Sequence, residues 1–265
     1  MEIYQLLAKV RNEKPLIHHI TNWVTIYDCA NIVKVFGASP VMAHAKEEVA
    51  DMTRIAQALV LNIGTLTPEL VYSMKVAANT ANEKNIPVVL DVCGAGATPL
   101  RNIKSYELLD NTTINIVKGN ASEIAKVAGE NVVTKGVDST KVGKNLIELA
   151  HRFAKAKNCT VVITGEEDII ADSSKCFTVK NGHEIMTHVV GTGCMATSII
   201  GTFAAIESDY ATAAACGLVC YEIASEIAAE KTAGPGTFKE QLYDAVFNLN
   251  EEAVKLRSKV EGLRF

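Results

Sequence analysis

The sequence contains no run of like charges and no basic stripe. Binding to nucleic acid needs clustered lysine and arginine to neutralise phosphates, so a chain with a formal net charge of −4 is not expected to take such a partner. No basic-then-apolar leader opens the chain, and no secretory signal is expected. Apolar runs such as Ala211–Val219 are short and alanine-rich, too short to span a bilayer, so no membrane partner is expected either. No C-x-x-C pair occurs among the seven cysteines, and their number is odd. That pattern speaks against a zinc site or a disulfide frame and for free thiols in a reduced, cytoplasmic protein. Cys216 and Cys220 lie four apart on an alanine-rich helical pattern, where packing is the simplest role. There is no internal repeat, low-complexity tract or linker, so residues 1–265 read as a single domain.

What is present is alternation. With 48% hydrophobic residues the chain can build a sizeable core. Short continuous apolar runs at Pro15–Ile20, Ser39–Ala43, Ala58–Ile63, Pro87–Val92, Ile114–Val117 and Cys159–Ile163 read as strands. Helical spacing over 2–11, Val24–Phe36, Ala45–Ala58, Pro68–Asn85, Ala121–Ala128 and Lys141–Lys157 fills the intervals, with a short helix after Pro99. Asp168–Ala171 and Lys175–Val179 resemble a hairpin or edge strands, and Gly129–Thr140 is polar and irregular, a loop or lid candidate. From Gly193 to about Ser258 the pattern is almost all helix, interrupted near Gly234-Pro-Gly236. Buried strands alternating with helices predict an α/β fold with a mainly parallel central sheet and helices on both faces.

The stretch Val189–Ala205 joins two β-branched residues, the turn Gly191-Thr192-Gly193, and a small-residue helix from Cys194. A glycine turn opening a helix leaves backbone N–H groups unpaired where the helix dipole is positive, which makes an anion site. The same field favours a thiolate at Cys194. The plain alternative is a glycine turn with a buried cysteine.

Polar or glycine-rich tripeptides at several strand ends strengthen the functional reading: Asp91 into Gly94, Lys118-Gly-Asn120, Thr164-Gly-Glu166 and Gly191-Thr-Gly193. Ligands bind beyond the carboxyl ends of strands in open α/β sheets, where these would converge. Asp91 and Glu123 can hold Mg²⁺ directly or through water; Glu123 is equally placed as a first-turn helix acid. Lys118 either meets a phosphate or is solvated, and Thr164 either meets a nucleotide or caps its strand. Met42, at a strand end near His18, His19 and Asn22, is either core filler or a ligand contact. His18 and His19 point to opposite faces of a strand, so they do not act together.

Taken together and in order, His19-Ile-Thr-Asn-Trp-Val, Gly37-Ala-Ser-Pro-Val-Met-Ala-His-Ala, Asp91 with Gly94-Ala-Gly96, Lys118-Gly-Asn-Ala-Ser-Glu123, Gly136-Val-Asp-Ser139, Thr164-Gly-Glu166 and Gly191-Thr-Gly-Cys194 resemble the hydroxyethylthiazole kinases of thiamine salvage. The match runs from about Pro15 to the C-terminus. The resemblance implies a ribokinase-like fold and Mg²⁺-assisted transfer of the ATP γ-phosphoryl to the alcohol of 4-methyl-5-(2-hydroxyethyl)thiazole. It implies Met42 and Gly191 at the thiazole, Thr164 at ATP, and a homotrimer with active sites near subunit contacts, where the Asn22 and Met42 segments lie. Cys194 stands where the wider ribokinase-like group places an aspartate base, as it does in hydroxyethylthiazole kinases. Lys118 stands where the family usually has arginine; it keeps the charge but loses the planar fork. Two rival functions are a related pyrimidine-alcohol or sugar kinase and a catalytically idle ATP-binding sensor. The intact Asp91, Glu123, Thr164 and Gly191–Gly193 disfavour the sensor.

Overall fold

The computed structural model describes residues 2–130 and 139–265. Its elements run α1 (Ile3–Glu13), β1 (Leu16–Ile20), α2 (Ile26–Phe36), β2 (Ser39–Met42), α3 (Val49–Ile55), β3 (Ala58–Asn62), α4 (Pro68–Glu83), β4 (Val88–Asp91), α5 (Pro99–Asn111), β5 (Ile116–Asn120), α6 (Ala121–Val127), α7 (Ser139–Lys157) and β6 (Thr160–Thr164). They continue with β7 (Asp168–Ala171), β8 (Lys175–Val179), a 3₁₀ turn (Glu184–His188), α8 (Thr192–Ala204), α9 (Tyr210–Ala229), α10 (Pro235–Phe247), α11 (Glu251–Arg257) and β9 (Val260–Arg264).

The strands form one nine-stranded sheet in the order β2-β1-β3-β4-β5-β6-β7-β8-β9. β2 through β6 are parallel, and β7, β8 and β9 add antiparallel pairs at one edge. Side chains alternate between faces along a strand. Val60, Val89, Ile116 and Val162 bury against α1, α2, α8, α9 and α10, while Leu59, Leu90, Val117 and Val161 bury among α4 to α7. One further period of two along the first set gives Asn62, Asp91, Lys118 and Thr164. Strand register alone therefore turns all four polar residues toward the α8 side, at the carboxyl end of the sheet.

α8 can lie close on the strands because Gly201 faces them: a Cβ there would stand 2.4 Å from Val60 Cγ2. This close approach sets the helix N-terminus over the ends of β3 and β4. α9 is 20 residues long and apolar enough to cross a membrane by length and composition, but 83% of its most apolar window is buried inside the protein. The expectation of only short apolar runs is corrected here; the helix serves as core.

Other expectations are corrected too. Ala45–Ala58 yields only the shorter α3, and the helix after Pro99 has 13 residues. Lys118 lies within β5 and not after it, because its register continues against Asp91 and Val162. Val189 and Val190 do not form a strand into Gly191; a 3₁₀ turn precedes them, started by His183 Nδ1 accepting from the Ile185 N–H. β9, unexpected from its polar sequence, pairs along the free edge of β8. Residues 131–138, most of the loop or lid candidate and of the Gly136–Ser139 motif, lie outside the described residues.

Candidate active site

The site is centred on the first turn of α8. Gly191 caps the helix with φ +98°, a left-handed conformation that suits glycine, and no side chain caps the free N–H groups of the turn. A Cβ on Gly191 would stand 2.9 Å from Thr25 Cγ2. The turn is held from behind: buried Tyr221 of α9 donates its hydroxyl to Thr192 O at 3.0 Å, and Thr192 Oγ1 donates to Met186 O at 3.0 Å. Backbone donors at a braced, uncapped helix start are suited to receive an anion.

Cys194 sits in this turn, and its sulfur accepts from Asn22 Nδ2 at 3.3 Å and Asn62 Nδ2 at 3.4 Å. The orientation of both amides is fixed by what their oxygens accept. Asn22 Oδ1 takes the Thr25 N–H at 3.0 Å, and Asn62 Oδ1 takes the Gly64 N–H at 2.8 Å, so both NH₂ groups face the sulfur. A hydrogen bond from the Cys93 thiol is the largest influence on Cys194; burial and the charge of Asp91 oppose it, and Thr25 and Lys118 assist. The thiol is drawn down to about 6, while its partner Cys93 is held protonated, its own value pushed up. Of the two thiols, Cys194 is the one whose ionisation is favoured.

Asp91 and Lys118 lie beneath the same turn. Lys118 is 5% exposed, which excludes the solvated alternative. Its ammonium donates to Asp91 Oδ2 at 3.3 Å and to Gly193 O at 3.1 Å. Burial pulls its pKa down, but Asp91, Cys194 and Glu123 outweigh that and the net shift is upward. Thr197, one turn along α8, donates to Asp91 Oδ2 at 2.6 Å. Asp91 Oδ1 is buried without a partner. Glu123 forms a capping box: Oε2 accepts the Asn120 N–H at 2.8 Å while Oε1 accepts the Gly94 N–H at 2.7 Å. Glu123 is therefore a first-turn helix acid, and its second oxygen also holds the Gly94 turn.

Among the described residues no cluster of three or more acidic, histidine or cysteine side chains could enclose a metal ion. The orphaned Asp91 Oδ1 and the unused lone pairs of Glu123 do fit a cation that keeps much of its water, the habit of Mg²⁺ at phosphates. A cleft of about 470 Å³ opens beside them, lined by Gly94, Gly96, Asn120, Glu123 and Lys126. Thr164 borders β5 at the end of β6 and donates to Gly119 O at 3.5 Å.

Asn22 and Cys194 are brought together. Met42 ends the edge strand β2, at the same end of the sheet but separated from β4 by β1 and β3. The two histidines diverge as expected: His18 bonds Thr53 Oγ1 and Ala43 O, and His19 bonds Ile17 O. Sequence reasoning missed Asn62, Cys93 and Thr197. Asn62 was findable from the register it shares with Asp91, and Thr197 from its i+3 spacing to Cys194. Arg101 was missed as well; it clasps Ile63 O, Cys93 O and Gly64 O at 3.0, 3.0 and 2.6 Å, tying the ends of β3 and β4 together.

A mainly parallel sheet with a glycine-opened helix start at its carboxyl end, a cysteine in that turn and a carboxylate beside a glycine-rich cleft is the arrangement of a phosphotransferase of the ribokinase-like class. Comparison with known proteins narrows the class. The profile of the Hydroxyethylthiazole kinase family matches residues 7–252, and the chain belongs to that family. It is 56% identical to the hydroxyethylthiazole kinase of Methanosarcina mazei, covering 97% of this chain and 98% of the relative. It is 46% identical to that of Desulfatibacillum aliphaticivorans, covering 97% and 96%. The solved hydroxyethylthiazole kinase of Pyrococcus horikoshii superposes with a TM-score of 0.92 at 39% identity, covering 98% of both chains. A ribokinase-like superfamily protein of Enterococcus faecalis, at 12% identity and a TM-score of 0.61 over 87% of this chain and 86% of its own, shares the fold.

Proposed function

We propose that the chain transfers the γ-phosphoryl group of ATP to the primary alcohol of hydroxyethylthiazole, as in thiamine salvage in the cytoplasm. The observation that carries this reading is the Cys194 sulfur, held by two amides inside the N-terminal turn of α8. An alcohol presented at this turn meets a sulfur able to take its proton, while the free N–H groups of the same turn face the negative charge of the transferring group. Phosphoryl transfer has a loose transition state, so a modest base suffices where positioning and electrostatics carry the rate. Lys118 acts as a buried point charge beneath the cradle. Asp91 and Glu123 would hold Mg²⁺ through their remaining oxygen capacity; when bound, the ion would neutralise charge on the phosphates. Thr164 and the cleft beside Gly94 receive ATP, and Met42 and Gly191 border the thiazole.

The chain works as a homotrimer in this reading. Trp23, Val24, Tyr27 and Val190, between 51% and 74% exposed, flank Asn22 and Gly191 in sequence, an apolar face fit for a second copy beside the site. Free thiols at all seven cysteine positions suit the reducing cytoplasm.

A coupled ADP-release assay tests the substrate. With hydroxyethylthiazole, hydroxymethylpyrimidine and ribose as acceptors, kcat/KM should be highest for the thiazole. Equal or better turnover of either rival would overturn the assignment.

A further inference from the structure

Two acidic side chains outside this machinery are buried against each other. Asp168, the first residue of β7, is 4% exposed, and Glu222 of α9 is 7% exposed. Their oxygens Asp168 Oδ2 and Glu222 Oε2 are both buried and find no donor, yet the two side chains lie within hydrogen-bonding reach of each other. Two carboxylates in contact cannot both stay ionised away from water, whereas one proton between them satisfies both orphaned oxygens. The other oxygen of Asp168 accepts the Gly165 N–H at 2.9 Å, the middle residue of the Thr164–Glu166 turn. The neighbour of Glu222 is Tyr221, which braces the α8 turn.

We propose that Asp168 and Glu222 share one buried proton and that the bridged pair is a positioning device, fixing the Thr164–Glu166 strand end to α9 and so to the helix that braces the anion cradle. Only its bearing on catalysis rests on the assignment of Thr164 to ATP. Burial pushes both carboxyls upward. The charged groups that bear on the pair are Lys118 on β5, which attracts Asp168, and Glu226 one turn along α9, which repels Glu222. Glu226 is itself engaged by Lys259 at 3.0 Å and by the Gly182 N–H at 3.2 Å. α8 carries no ionisable side chain but Cys194.

The sign of the linkage makes this testable. A carboxyl whose folded value is raised lets the native state hold a proton that the unfolded chain releases above about pH 4.3. Stability therefore falls as pH rises toward the folded value, with the unfolding constant gaining about tenfold per pH unit for one proton. Glu222→Gln keeps a donor to Asp168 but cannot titrate; Asp168→Asn serves as a second non-titrating variant if the first folds poorly. Denaturant unfolding between pH 5.5 and 7.5, above that unfolded value of about 4.3, should show the wild-type unfolding constant rising relative to either variant, by up to about tenfold per unit. A constant ratio overturns the shared proton. Amide exchange at Gly165, corrected for intrinsic rate, reads the positioning. Asp168→Ala should lose at least about tenfold in protection, while Glu222→Gln retains it. Protection in Asp168→Ala equal to wild type overturns the positioning role. If protection falls but KM for ATP is unchanged, the device stands and the nucleotide assignment of Thr164 fails.

Discussion

At the scale of single residues the proposed mechanism turns on the ionisation of one sulfur. A thiol drawn down to about 6 is protonated as pH falls through that value, so kcat should decline on the acid side of about pH 6. Cys194→Ala should abolish that limb and lower kcat by no more than roughly 10²–10⁴-fold, the range of a positioned base. Cys194→Asp should stay active with its acid limb moved to lower pH, since a carboxylate ionises below a thiol. A wild-type pH profile identical to that of Cys194→Ala would leave the sulfur without a chemical role. Lys118 tests a different quantity. Removing one partner of a buried ion pair costs about 3–5 kcal/mol, so Lys118→Ala should lower the unfolding midpoint as well as kcat or ATP affinity. Lys118→Arg should retain function only if the pocket between Asp91 and Gly193 admits the wider fork, which steady-state kinetics with ATP varied will show. Cys194, Asp91 and Lys118 were all legible in the sequence as polar residues near strand or helix ends. The amides that tune the sulfur were only half legible, because nothing in the sequence says that Asn22 and Asn62, 40 positions apart, bond to each other.

At the scale of elements, the proposed site lies at the N-terminus of α8, and its two glycines are not equivalent. Gly191 combines a positive φ with a Cβ position blocked by Thr25. Left-handed strain costs about 1–3 kcal/mol before the clash is counted. Gly191→Ala should therefore lower both kcat and the thermal unfolding midpoint. At Gly193 an added Cβ would meet only the flexible end of Lys118 at 3.3 Å, so Gly193→Ala should be milder. Kinetics and thermal unfolding of the two variants together check this order, and a reversed order would place the cradle elsewhere. The glycine turn and the helix after it were readable from pattern. The 3₁₀ turn before Gly191 was not, since Val189 and Val190 carry strand propensity that tertiary contacts override. β9 was missed for the converse reason: a polar segment became a strand because β8 offered it an open edge.

At the scale of the whole molecule, the proposed homotrimer places a subunit contact on the exposed apolar residues around Trp23 and Tyr27. Sedimentation should report three chains per particle. Tyr27→Lys, at a position 74% exposed in the single chain, should shift the particle to smaller mass and raise KM for the thiazole. A variant of unchanged mass and unchanged KM would show that this face is not a subunit contact.

The sequence by itself determined the fold class, because buried runs of period two alternating with helical spacing admit few architectures but a covered parallel sheet. It also determined which strand ends are polar. The same period, counted from Val60, Val89, Ile116 and Val162, puts Asn62, Asp91, Lys118 and Thr164 on one face. Tertiary structure alone decided what those residues do to one another. The close approach of α8 at Gly201 sets Cys194 against two distant asparagines and Cys93, and Asp91 under Thr197. It also buried Lys118, which the sequence left free to be a surface charge. Ionisation depends on desolvation and on donors a few ångströms away, and those come from chain segments whose separation in sequence carries no record of their contact in space.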